Sequence, residues 1–251
     1  MSPNLLILGG TTEARRLADA VAGAGLHGIV SYAGRVERPY PTALPHRVGG
    51  FGGPEGLATY LRTQEITHVI DATHPFAAQM SANAIEAAQA TGVPLAALTR
   101  PPWQPGPGDD WQAVADIPEA VAALNSPPRH VMLAVGRMHL DDFAPNPQHF
   151  YLLRLVDPPE GALPFPDCAV EVSRGPFTEA EDRALMERHR IDLVVSKNAG
   201  GSGARAKLDA ARALGLPVVM IDRPALPPRT ELHETAEVLD WIAHAGVNLG
   251  V

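Results

Sequence analysis

Leu5-Leu6-Ile7-Leu8 is a short unbroken apolar run that stops at Gly9-Gly10. A run of that length without polar alternation reads as a strand buried on both faces, the setting of a parallel sheet. Behind the glycines, Ala14, Leu17, Ala18, Val21 and Ala22 fall on one helical face, and Gly23 or Gly25 stops the helix. The alternation then repeats along the chain. Strands are expected at 28–31, 68–71, 95–98, 131–135, 150–156, 168–172, 193–195 and 218–221. Helices are expected at 57–65, 78–91, 178–189, 204–214 and 231–245. Strand and helix in strict turn imply a parallel α/β sheet.

PPWQPGPG, residues 101–108, interrupts the alternation, because proline at that density continues neither element. The halves on either side resemble each other. AAQATGVPLAALTRP (87–101) aligns without gaps on AARALGLPVVMIDRP (210–224). Each is a helix end, a Gly-x-Pro turn, a buried strand and Arg-Pro. The expectation is two similar α/β domains, 1–100 and 101–251, with a ligand cleft between them.

Bulk properties exclude several classes. The net charge of −8 speaks against a general nucleic-acid surface. Cys168 is the only cysteine, so there is neither an internal disulfide nor a cysteine-based metal site. The histidines show no metal-ligand spacing. The first residues form neither a signal peptide nor a membrane span, so a soluble cytoplasmic protein is expected.

LGGTTEAR stands where a first strand-to-helix turn binds phosphate in doubly wound sheets. Gly9 and Gly10 let the backbone approach a pyrophosphate, Thr11 and Thr12 add hydroxyls, and the helix start at Glu13 offers N–H groups. The alternative is a plain tight turn with a threonine cap. The second strand ends in SYAGR, with no acid for ribose hydroxyls, and Arg35 suits a 2′-phosphate. That pattern favours NADP over NAD. DATHPFA, Asp71 to Ala77, follows another buried strand; His74 is a candidate proton donor or ligand-orienting group. No Tyr-x-x-x-Lys pair and no P-loop motif occurs, which excludes a short-chain dehydrogenase and a P-loop NTPase.

Lys197 and Lys207 are the only lysines, and both lie in SKNAGGSGARAK. Gly200, Gly201 and Gly203 free backbone N–H groups there for an anion nest. Together, and in order, ILGGTTEAR, SYAGR, DATHPFA, SRGPF and SKNAGGSGARAKLDAA resemble the precorrin-6A reductase family of cobalamin biosynthesis. The likeness spans nearly the whole chain, RPPW at 100–103 included. It implies two Rossmann-like domains with parallel sheets, NADPH as cofactor, and an anionic tetrapyrrole as substrate. It implies a hydride delivered to C19 of precorrin-6A and a proton to C18, giving precorrin-6B. Hand-over from neighbouring pathway enzymes is a further expectation.

On this reading the cofactor residues are Gly9, Gly10, Thr11, Thr12, Glu13, Tyr32, Arg35, Asp71, Thr73, His74 and Arg100. The substrate residues are Arg137, Arg154, Arg174, Lys197, Ser202, Gly203, Arg205 and Lys207. His74 and Lys197 are the weak catalytic candidates, and no spacing chooses a proton donor. Two alternatives stand beside it: another NADP-dependent reductase of an anionic small molecule, and a non-catalytic NADP(H)-binding sensor.

Overall fold

Six strands run parallel in each of two sheets. The structure is a computed structural model, and it describes residues 2–33, 42–173 and 175–245. In the first sheet β1 (Asn4–Leu8) lies between β2 (His27–Tyr32) and β4 (His68–Asp71). Beyond β2 comes β3 (His46–Val48); beyond β4 come β5 (Leu95–Leu98) and then β12 (Thr230–Leu232). In the second sheet β7 (His130–Ala134) lies between β8 (Phe150–Leu155) and β10 (Leu193–Lys197). Beyond β8 comes β9 (Cys168–Val172); beyond β10 come β11 (Val218–Ile221) and β6 (Trp111–Val114). Both sheets therefore have the doubly wound spatial order, which reverses direction beside the first strand.

The unbroken apolar run of β1 now has its reason. Leu5 and Ile7 face one core cluster, with Leu17 and Val21 of α1 (Thr12–Gly23) and Val238 and Ile242 of α7 (Thr235–Ala245). Leu6 and Leu8 face the opposite cluster, with Leu57 and Leu61 of α2 (Gly53–Thr63) and Ala84 and Ala87 of α3 (Ala78–Thr91). Successive side chains point to opposite faces, so a strand covered on both sides needs apolar residues throughout. In the second unit α4 (Ile117–Ala123) packs beside β6 and β11, and α5 (Glu179–Arg188) packs beside α6 (Ala206–Leu214). The core of this unit joins Met132, Leu152, Val194 and Met220 to Leu185 and Leu208.

The internal repeat occupies equivalent places. Residues 87–101 run from α3 into β5, and 210–224 from α6 into β11, the fifth strand of each sheet in spatial order. Each helix ends on a left-handed glycine, Gly92 at φ 72° and Gly215 at φ 66°. The sixth strand of each sheet is exchanged. β6 follows β5 in the chain yet pairs with β11, and β12 follows β11 yet pairs with β5.

That exchange corrects the expected division. The chain forms two units, Met1–Arg100 with Ala225–Val251, and Pro101–Pro224. Residues 225–251, assigned by sequence to the second domain, belong to the first, because β12 and α7 complete its sheet and core. Glu231 is correspondingly in a strand, and the last helix starts at Thr235. Strands β3, β6 and β12 and helix α4 were not expected at all. HRV, WQAV and TEL are three- or four-residue segments of mixed polarity, each at a sheet edge. Their pairing comes from the neighbouring strand rather than from their own pattern.

Candidate functional site

Because all strands of the first unit are parallel, their carboxyl ends share one edge. Gly9 and Gly10 follow β1 there. A Cβ on Gly9 would lie 2.9 Å from Val30 Cγ1, so only glycine lets the turn pass so close to β2. Gly10 has φ +121°, open to glycine, and nothing within 4 Å of where a Cβ would stand. Thr11 caps α1: its Oγ1 accepts from the Ala14 N–H at 3.1 Å and donates to the Ala72 carbonyl at 2.7 Å. The hydroxyl thereby ties the first turn to the end of β4, across the point where strand order reverses. Thr12 is exposed at the helix start, and Glu13 sits 3.7 Å from Arg100 Nε. Backbone N–H groups at such a helix start suit an anion.

Asp71 ends β4 and is buried, with every close partner supplied by the protein. Oδ1 accepts from the Thr73 N–H (3.1 Å) and hydroxyl (2.6 Å); Oδ2 accepts from the Ser81 hydroxyl (2.6 Å) and Arg229 Nη1 (2.5 Å). Asp71 and Thr73 thus shape the loop and present its next residue, His74. His74 is exposed, and the Phe76 N–H donates to its Nδ1 at 3.2 Å. That bond leaves Nε2 to carry the proton of the neutral ring. Tyr32, at the end of β2, is half-buried beside Gly9 and meets His46 edge-on at 5.9 Å. Burial raises its pKa above the usual 10.0, the largest influence on it. Arg35 lies outside the described residues.

In the second unit the expected basic residues divide into two groups. Arg137 follows β7, has a side chain 56% exposed and lies 3.7 Å from Glu160. Lys197 is the last residue of β10. Ser202 and Gly203 are exposed in the turn that follows, and Arg205 Nε lies 3.2 Å from Asp209. These stand at the carboxyl edge, as expected. Arg154, next to last in β8, and Lys207, in the first turn of α6, are near that edge too, but their side chains turn inward. Arg154 Nη2 donates to Asp182, which is 1% exposed, and the guanidinium lies 4.2 Å above the Phe177 ring. Lys207 is 6% exposed; its Nζ donates to the Ala204 carbonyl at 2.6 Å and stands 5.0 Å over Trp103. Both cations are turned into their own unit, because Asp182 and Trp103 offer them partners there. Burial pushes Lys207 down from 10.5 to about 8. A cavity of about 360 Å³ opens beside Arg154, but Glu171, Glu181 and Asp182 also line it, a poor setting for a polyanion. Arg174 lies outside the described residues.

The glycine-rich turn is held in place from within the same unit. Asn198 accepts the Trp103 N–H at 2.7 Å and donates to the Trp103 carbonyl at 3.0 Å. The Trp103 indole N–H donates to the Gly201 carbonyl at 2.7 Å. Arg223 donates to the carbonyls of Asn198 and Ala199 at 3.0 and 3.1 Å. The start of the proline-rich join is therefore a fixed anchor at Trp103. Sequence reading missed Asp182, Trp103, Arg229 and Arg47 as participants. Asp182 read as an ordinary acid in a helix first turn, and Arg229 reaches Asp71 over a separation of 158 positions, which no local pattern shows.

Doubly wound parallel sheets with a glycine turn at the reversal point define a Rossmann-like α/β protein, duplicated within one chain. A family model described as "Precorrin-6x reductase CbiJ/CobK" matches residues 4–243. The precorrin-6A reductase of Rhodobacter capsulatus is 55% identical over 96% of this chain and 96% of that protein. That of Rhodococcus erythropolis is 47% identical over 95% and 96%. A solved structure titled "CobK precorrin-6A reductase" superposes with a TM-score of 0.92, at 55% identity, covering 97% of each chain. The chain belongs to the precorrin-6x reductase family. Membership makes it an oxidoreductase.

Proposed function

We propose that this protein reduces one double bond of precorrin-6A, with NADPH as reductant, to give precorrin-6B in cobalamin biosynthesis. The observation that carries the reading is near-full-length identity of 55% to a precorrin-6A reductase, with the same fold. The residues of the first unit fit a dinucleotide. Gly9 permits close backbone approach, Gly10 is open to solvent, and the start of α1 offers N–H groups for a pyrophosphate. NADPH would supply the hydride that reaches C19.

The second unit fits the macrocycle. Among the described residues the large exposed apolar side chains are Val48, Met138, Val156 and Val172. Val48 belongs to the first unit; the other three, all in the second, stand at or just beyond the carboxyl ends of β7, β8 and β9. Apolar side chains gathered at such an edge suit a flat ring. Arg137, Lys197 and Arg205 at that edge suit its carboxylates, and a local basic edge lets a −8 protein meet a polyanion. Arg154 and Lys207 act behind it, holding the Phe177 loop and the glycine-rich turn.

His74 is positioned to hold a proton at Nε2. Hydride transfer depends on alignment of the nicotinamide with the acceptor carbon, so binding geometry is taken to supply most of the rate. His74→Ala is expected to lower the single-turnover rate less than about a hundredfold; a loss of roughly a thousandfold with substrate binding intact would assign the proton to His74.

The direct test is absorbance-monitored NADPH oxidation with precorrin-6A beside a parallel NADH run. Turnover with NADPH and little with NADH is expected. NADPH binding without turnover would leave the dinucleotide site and favour a different anionic substrate or a sensor. No binding of either cofactor would overturn the reading. No described helix is long and apolar enough to cross a membrane.

A further inference from the structure

Arg47 lies on β3 in register with Ser31, the next-to-last residue of β2. Its guanidinium is held by three neutral acceptors. Nη1 donates to Ser31 Oγ at 2.7 Å and to the Gly49 carbonyl at 2.9 Å; Nη2 donates to the Gly50 carbonyl at 3.0 Å. The flat group rests 4.0 Å from the Phe51 ring centroid and 5.3 Å from that of Tyr60. None of these partners carries a negative charge. Several other half-buried arginines differ: Arg154, Arg212 and Arg229 each meet an aspartate in their own unit.

A guanidinium carries five N–H donors. Three are committed to Ser31, Gly49 and Gly50. The two that remain, on Nε and Nη2, form one side of the fork, the edge that meets a phosphate with two parallel bonds. The group is rigid, partly desolvated and without a counter-ion among the described residues. Its place matters as much as its chemistry. In doubly wound sheets the adenosine ribose is read at the carboxyl end of the second strand. Arg47 is bonded to that end through Ser31, and the Gly49 N–H donates to the Tyr32 carbonyl at 2.9 Å.

We infer that Arg47 is a specificity-determining residue that binds the ribose 2′-phosphate of the reductant through the free edge of its fork. The inference rests on the proposed NADPH reading. It places discrimination between NADPH and NADH on a third-strand residue outside SYAGR.

The test is equilibrium binding of NADPH and of NADH, by nicotinamide fluorescence, to the full chain and to Arg47→Lys and Arg47→Ala. Melting curves establish that each variant is folded, and the lysine variant keeps the charge if the alanine variant fails to fold. The expected result is an NADPH affinity lowered roughly tenfold or more in both variants, with NADH affinity within about twofold of the parent. Equal losses for both cofactors would mean that Arg47 only staples the Gly49-Gly50 turn, and would overturn the inference. Unchanged NADPH affinity would overturn it as well, with the parent's preference intact and the parent reading still standing. A parent protein without preference for NADPH would sink the cofactor reading itself, and this inference with it.

Discussion

Lys207 carries an ammonium group in a setting made by Trp103, the Ala204 carbonyl, Asp182 from α5 and Arg154 from β8. Burial is the largest influence and lowers its pKa; Asp182 raises it and Arg154 lowers it further. Between about pH 8 and 10.5 the unfolded chain holds this proton and the folded chain has released it. Stability from this group therefore rises with pH across that window, by up to about 3 kcal/mol. Urea unfolding of the parent and of Lys207→Met at about pH 7, below the window, and at about pH 8.5 and 10, within it, checks this. The difference between the two should shift in favour of the parent as pH rises, and parallel profiles would refute it. Tyr151 works the other way in both proteins. Burial takes its pKa up to about 12, so its contribution falls as pH climbs past 10 and cancels in the comparison.

At the scale of the element, the glycine-rich turn after β10 is the most constrained segment of the second unit. Gly200 has φ +69°, and a Cβ there would lie 2.2 Å from the Pro101 carbonyl oxygen and 2.5 Å from Arg223 Nη2. Backbone cannot give way as a side-chain end can. Gly200→Ala should cost about 2 kcal/mol or more, while Gly215→Ala, with φ +66° and open space around it, should cost only the backbone strain of about 1 kcal/mol. Calorimetric melting of both variants measures the gap, and equal losses would mean that the turn yields freely. The same segment shows what local pattern can and cannot convey. Three glycines among small residues announce a special turn. That Trp103 and Asn198 lock it depends on a contact across 95 positions. The lysines make the point again: Lys197 stays at the strand end as its position suggests, whereas Lys207 begins a helix and is drawn inward.

For the whole molecule the exchanged edge strands set the folding units. Every strand of the second sheet lies within residues 101–224. A fragment of residues 101–224 is expected to unfold in one cooperative urea transition followed by far-ultraviolet circular dichroism. A fragment of residues 1–100 lacks β12, α7, the Val238 and Ile242 side chains of its core, and Arg229, the partner of buried Asp71. It should show no such transition, since a buried carboxylate without its cation costs about 3–5 kcal/mol on top of the lost core. Two equally cooperative fragments would contradict the exchange.

The sequence by itself determined the alternation of buried strand and helix, the glycine turn at the first strand, the internal repeat and the family resemblance. These are local or ordered along the chain, so period and composition express them. The tertiary structure decided which sheet receives each sixth strand, because a three-residue strand such as TEL has no pattern of its own and takes its pairing from β5. It also decided which cations face outward. Arginine and lysine stems are long and flexible, and Asp182, Trp103 and Asp71 claim Arg154, Lys207 and Arg229 from distant parts of the chain. Arg47, held by Ser31, Gly49 and Gly50, became visible only once β3 had paired with β2.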